Sequence, residues 1–201
     1  MTKDQSRINS LICQIRSIGA YTSKEDFWNV ISKISRLYEQ SIDVSLRRCY
    51  GIYYTDLDLA KKMIDEMFDI SLYKKIDKID TLTFFEPCVG TGNFVFAYLK
   101  KLDELNIKKE SINKILKNIY ICDIDKDAIN IFVELMIKFC KIFFDIELTQ
   151  SFFKDRMAYG LLFDLSKDQC EYISIKDVFS KAYLKGGFDI IVTNPPYRNL
   201  K

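Results

Sequence analysis

Apolar positions return every three or four residues through the first third of the chain, and the rhythm then changes. The first stretch, residues 3–19, predicts a helix. In residues 24–48 Phe27, Val30, Ile31, Ile34, Leu37 and Tyr38 recur at helical spacing and predict a second one. Thr22 or Ser23 is placed to cap it, with Glu25 and Asp26 in the first turn. After the short aromatic stretch "GIYYT", "DLDLAKKMIDEMF" predicts another helix, with Leu59, Met63, Ile64 and Met67 on one face. Beyond the polar bridge "KKIDKID" the apolar residues run together. "TLTFFE" predicts a buried strand leading through "PCVGTG" into the helix "NFVFAYLKKLDEL". A short helix near Ser111–Lys117 precedes a second buried strand, "NIYICDID", and the long apolar helix "KDAINIFVELMIKFCKIFF". Residues 145–170 read as helical pieces and loop, "EYISIKDVF" as a third strand and "GFDIIVTNPPY" as a fourth. Strands alternating with helices predict an α/β fold with a parallel sheet.

Composition narrows the chemistry. The 201 residues suffice for one domain with a sizeable core, alone or with an appendage, and 48% hydrophobic with 29% charged residues is ordinary for a globular protein. No apolar run approaches the ~18 residues of a membrane span, and "MTKDQSRINS" has no signal-type apolar region. Six cysteines without a C-x-x-C pair, and no histidine, leave out the usual zinc spacings. The expectation is reduced thiols, a cytoplasmic setting, and neither metal nor membrane. Without histidine, Ser/His and Cys/His catalysis are excluded. A net charge of +2 permits nucleic-acid binding without arguing for it.

Seven glycines and three prolines cluster in a few short stretches, which marks those stretches as candidate sites. In "FFEPCVGTGNF" a strand ends, the chain turns on Gly90 and Gly92, and a helix begins. Glu86 at the strand end suits a cationic amino group better than a pyrophosphate, and Val95 stands where the third glycine of the dinucleotide pattern would fall. Taken alone, the loop reads as a tight structural turn. In "YICDID" a carboxylate at the strand end can accept both hydroxyls of a ribose. Asp125 is the better helix cap and Asp123 the better ligand. Asp177 in "IKDVF" can accept from an exocyclic amine and Val178 or Phe179 can pack on a purine face, although Asp177 by itself reads as a solvated acid.

The closing "IVTNPPYRNLK" combines a strand end with two prolines, which fix an extended backbone. Asn194 and the Pro195 carbonyl are two acceptors, Pro196 removes a competing amide, and Tyr197 offers a flat ring. Two acceptors beside a ring suit a planar amine. Hydrogen bonds from both of its N–H groups pull the nitrogen toward a tetrahedral shape and free its lone pair, so no strong base is needed. The alternative is a rigid turn.

Taken in order, "GIYYT", "EPCVGTGNF", "ICDID", "KDVF" and "NPPY" resemble the gamma group of adenine-N6 DNA methyltransferases, which includes type I modification subunits and fused type II restriction-modification enzymes. The resemblance covers about residues 48–201. Asp56 stands where the family has proline. It implies a Rossmann-like methyltransferase fold with S-adenosyl-L-methionine as cofactor. Thr55, Glu86, Pro87, Gly90 and Gly92 would hold the methionine part, Asp123 the ribose, Ile124 and Val178 the adenine face, and Asp177 its amino group. Asn194, Pro195, Pro196 and Tyr197 would hold a target adenine flipped out of double-stranded DNA. Residues 1–48 are expected as an N-terminal helical segment and 49–201 as a partial catalytic domain of four strands, ordered third, second, first, fourth. The family continues past N-P-P-Y, so the expectation is cofactor binding without DNA methylation by this chain alone, pending a C-terminal remainder or specificity partner. The alternatives are a silent cofactor-binding module and a protein glutamine-N5 methyltransferase, which also uses N-P-P-Y.

Overall fold

The computed structural model describes residues 4–19, 21–50, 53–160, 179, 180, 182 and 186–195, with the side chains of residues 46, 49 and 50 left out. Helices α1 (Gln5–Ser17) and α2 (Lys24–Ser41) open the chain. Ser23 caps α2 by accepting the Asp26 N–H at 3.0 Å. The second expected helix is in fact two. Ile42 turns extended, and Asp43 accepts the Ser45 N–H at 2.8 Å to start α3 (Val44–Tyr50).

Helix α4 (Leu57–Met67) buries Leu57, Ala60 and Ile64, while Leu59 and Met63 face solvent. The expected face is therefore rotated. Two overlapping stripes satisfied helical spacing, and ion pairs of Lys61 with Asp65 and Glu104, and of Lys101 with Asp65, select the stripe that meets the next helix. The helix runs on as a π turn (Phe68–Leu72) and a 3₁₀ stretch (Tyr73–Thr81), where only a polar bridge was expected.

The sheet has four parallel strands in the order β3-β2-β1-β4. They are β1 (Phe84–Glu86), β2 (Ile119–Asp123), β3 (Met157–Tyr159) and β4 (Ile190–Ile191), with α5 (Asn93–Glu104), α6 (Lys109–Lys117) and α7 (Lys126–Phe144) between them. Strand β3 falls in the stretch expected as helical pieces and loop. It offers three residues and a single buried side chain, Ala158, so it carries no alternation to detect. The expected third strand, "EYISIKDVF", lies outside the described residues up to Phe179.

Side chains alternate across the sheet as the pleat requires. Phe84, Ile119 and Ile121 join the main core, and Phe85, Tyr120 and Cys122 join a second cluster with Phe179 and Ala182. The main core runs without a break into α1 and α2 through Ile8, Ile15, Phe27 and Ile31. Phe139 of α7 is its hub, with Phe27, Phe96, Phe143 and Phe144 around it. Arg16 of α1 donates to the buried Glu134 of α7 at 3.0 Å, and Lys138 donates to the carbonyls of Arg16 and Ile18. Asp189 accepts from the Thr83 N–H and hydroxyl, which locks the start of β4 to that of β1. Among the described residues Cys13, Cys88, Cys122 and Cys140 are free thiols, and no helix is long and apolar enough to cross a membrane.

Phe139→Ala should cost about 3–5 kcal/mol in a denaturant melt, whereas Leu59→Ser should stay within about 0.5 kcal/mol of the parent. A large loss at Leu59 would contradict the face assigned to α4.

Candidate functional site

In parallel sheets ligands bind at the carboxyl ends of the strands, where the strand order changes direction. Here that place is β1, with β2 on one side and β4 on the other. An open cleft lies there, lined by residues of the strand ends, the β1–α5 loop and residues 53–55.

The β1–α5 loop forms its floor. Gly90 adopts φ +53° and donates its N–H to Asp123 Oδ2 at 2.7 Å, and the Val89 N–H reaches the Cys122 carbonyl at 2.9 Å. The ends of β1 and β2 are thereby stitched together. A Cβ on Gly90 would lie 2.5 Å from the Tyr54 ring. Gly92, at φ +98°, starts α5 where a Cβ would come within 2.2 Å of Phe132. The tight turn holds, and the space a Cβ would need is taken by protein rings, Tyr54 at Gly90 and Phe132 at Gly92.

Glu86 ends β1 and is 2% exposed. It accepts the Val95 N–H in the first turn of α5, while its Oε2 has no partner among the described residues. Burial, with the nearby Asp123 charge adding to it, pushes its pKa well above the usual carboxylate range. Asp123 ends β2 and lines the cleft. Burial raises its pKa from 3.8 to about 6, opposed by hydrogen bonds from the backbone N–H groups of Asp125 and Gly90. Asp125 caps α7, accepting from the Asp127 and Ala128 N–H groups, and takes the Tyr38 hydroxyl at 2.6 Å. The cap expected of Asp125 is the one observed, and Asp123 lines the cleft. Ile124, 58% exposed, leaves an apolar side chain at the cleft wall.

Residues 53–55 form a strap across the cleft. Tyr54 meets Tyr38 edge-on at 6.0 Å and covers Gly90. Asn93, the first residue of α5, donates to the Thr55 carbonyl at 2.7 Å and to Ser35 Oγ of α2 at 3.1 Å. Asn194, after β4, donates to Thr55 Oγ1 at 3.0 Å and to the Tyr53 carbonyl at 3.4 Å. With its N–H groups so engaged, Asn194 turns Oδ1 away, and no donor to that atom occurs among the described residues. Asp56, the departure from the family's proline, caps α4 and pairs with Arg36 at 3.0 Å.

Of the expected site residues, Thr55, Glu86, Pro87, Gly90, Asp123, Ile124 and Asn194 line one cleft. Gly92 supports it from below, and Pro195 is exposed beside it. Asp177, Val178, Pro196 and Tyr197 lie outside the described residues. Sequence reasoning missed Tyr54, Asn93 and Thr91. Thr91 was within reach, as a polar residue between the two glycines of the loop, whereas the role of Asn93 depends on distant partners. Among the described residues no group of three or more His, Cys, Asp or Glu side chains could hold a metal ion.

Comparisons with known proteins agree with this geometry. A family model described as Eco57I restriction-modification methylase matches residues 117–201. The chain is 27% identical over 167 residues to the type II methyltransferase M.VspI of Vibrio sp. (strain 343), covering 82% of this chain and 29% of that protein. It is 34% identical over 137 residues to the putative type II restriction enzyme and methyltransferase RM.MjaORFECS2P of Methanocaldococcus jannaschii, covering 58% and 11%. Among solved structures, a DrdV–DNA complex matches with a TM-score of 0.59 at 15% identity, covering 90% of this chain and 17% of that one. The ATP-dependent Type ISP restriction-modification enzyme LlaBIII bound to DNA matches with 0.57 at 18% identity, covering 89% and 12%. The structural matches show the fold, a Rossmann-like α/β fold with a parallel sheet of four strands. The sequence matches make the chain similar to restriction-modification methyltransferases, and it spans less than a third of the curated relatives' length.

Gly92→Ala should destabilise the fold by about 2–4 kcal/mol in a denaturant melt, combining left-handed strain with a displaced buried ring. A loss below about 1 kcal/mol would mean that Phe132 yields freely.

Proposed function

We propose that this chain carries the S-adenosyl-L-methionine site and the amine-positioning residues of a restriction-modification DNA methyltransferase acting on the N6 amino group of adenine. The observation that supports it most is Asn194, held at the rim of the Glu86–Asp123 cleft by its amide N–H groups with Oδ1 left to accept. The chain spans 29% and 11% of the two curated relatives, so the reading of double-stranded DNA is assigned to parts beyond these 201 residues, whether a C-terminal remainder or a specificity partner.

The residues fit the cofactor on features of the cleft itself. A buried carboxylate oxygen without a donor suits an ammonium. A second carboxylate at the neighbouring strand end suits a diol, and an exposed isoleucine beside it suits a flat ring. Glu86, Pro87, Thr55 and the Gly90/Gly92 loop are assigned to the methionine part, Asp123 to the ribose and Ile124 to the adenine. Val178 and Asp177 are assigned to the adenine face and amino group, as the resemblance implies. When bound, S-adenosylmethionine would supply a methyl group on a positively charged sulfur, which would keep the C–S bonding pair and leave as the neutral thioether.

Asn194 Oδ1 and the Pro195 carbonyl accept the two N–H groups of the target amine. The nitrogen lone pair, otherwise shared with the ring, then points at the incoming carbon. After transfer the cationic nitrogen is acidic enough to lose a proton to water, so no strong base is required, which fits a chain without histidine. Tyr197 and Pro196 are assigned to the flipped base, as the resemblance implies.

Calorimetric titration of S-adenosylmethionine should show binding that Asp123→Ala weakens by about tenfold, or 1.4 kcal/mol. Equal binding by the variant would remove the ribose assignment. The pH profile separates two effects of Asp123. Its raised pKa means that the stability it contributes is complete below about 3.8 and is lost as pH rises through about 6. Hydroxyl donors need the ionised form, so ligand affinity should fall as pH drops through about 6. A profile flat from pH 5 to 8 would count against this role of Asp123.

Transfer of a labelled methyl group to DNA by the protein with its remainder or partner, followed by digestion to nucleosides, should place the label on N6-methyladenine. Label on cytosine, or on a peptide glutamine, would overturn the assigned target.

A further inference from the structure

Helix α2 belongs to the segment whose function the sequence left unread, yet it reaches the cleft through one side chain. Ser35 Oγ lies 2.7 Å from Thr91 Oγ1 in the glycine loop and accepts from Asn93 Nδ2 at 3.1 Å. The same Nδ2 donates to the Thr55 carbonyl of the strap at 2.7 Å. Both N–H bonds of the Asn93 amide are thus used, which fixes which way its oxygen points. That oxygen is buried without a donor among the described residues, on a side chain only 7% exposed that lines the cleft. Glu86 Oε2 is in the same condition in the same cleft.

Two buried acceptors without donors are unfavourable until a donor reaches them. A hydroxyl brings one donor and a carboxylate none. An ammonium brings three donors and a positive charge, enough in number for both acceptors.

We propose that Asn93 is a second ligand-binding residue for the cationic amino group of the pocket's ligand, which it shares with Glu86, and that Ser35 is the positioning residue that aims it. The inference rests on the S-adenosylmethionine reading above. It extends that reading by giving α2 a part in recognising the amino-acid end of the ligand. Asn93 also bolts the strap through Thr55, so the group that senses the ammonium also holds the cover over it.

The test titrates S-adenosylhomocysteine and its desamino analogue by calorimetry into the whole chain and into Asn93→Ala. The readout is the affinity ratio of the two ligands, which cancels any general weakening from a loosened strap. The ratio should fall about tenfold in Asn93→Ala, the loss of one hydrogen bond to a charged group. Equal weakening of both ligands would leave Asn93 a strap residue alone and overturn the proposal. If Asn93→Ala does not fold, Ser35→Ala keeps the amide and releases its aim, so the ratio should still fall. An unchanged ratio there overturns the proposal as well. Failure of both ligands to bind the parent chain would instead sink the S-adenosylmethionine reading, and this inference with it.

Discussion

The 2.7 Å hydrogen bond from the Gly90 N–H to Asp123 holds the site together. It joins the loop after β1 to the end of β2, and it needs Gly90 in a left-handed conformation to do so. That conformation turns the loop under Tyr54, and only a residue without a Cβ leaves room for the ring. The same bond places an acid at the mouth of the cleft and keeps it from full hydration. The strap, the floor and the wall of the cleft therefore share one anchor.

Around that anchor the polar groups form a connected chain rather than scattered pairs. Ser35, Thr91, Asn93, Thr55 and Asn194 are linked by side-chain hydrogen bonds across α2, the glycine loop, α5, the strap and the turn after β4. Tyr38 adds a second link from α2, to the Asp125 cap of α7. Elements distant in sequence thus meet at the cleft through polar contacts, while their outer faces share one apolar core. Buried networks of this kind specify one arrangement more sharply than apolar packing does, because an unmet polar group is costly.

The sequence made the long elements legible because their signals are local. Helix α7 begins at its Asp125 cap and runs as its apolar pattern indicated, and β1 and β2 are the two apolar runs that end in acids. What it hid depends on distant partners. The break between α2 and α3 rests on Asp43, which the periodic residues around it masked. The face of α4 was decided by Lys101 and Glu104 on another helix. Strand β3 is too short to show a period. In the cleft, Glu86 and Asp123 could be read because acids at strand ends are unusual. Asn93 could not, since its meaning comes from Ser35 and Thr55, 58 and 38 residues away.

The strap over the cleft has a kinetic consequence. Three side-chain hydrogen bonds, from Asn93 and Asn194 to residues 53 and 55, hold it. At about 1 kcal/mol each, lifting it costs on the order of 3 kcal/mol, well below the ~5–15 kcal/mol of unfolding a domain. The raised form is then a standing minority of on the order of one molecule in a few hundred. In that minority Tyr54 no longer covers Gly90, so the Gly90 amide meets solvent. How often it does so is set by an amide on α5 and another after β4, rather than by the sheet on which the loop rests.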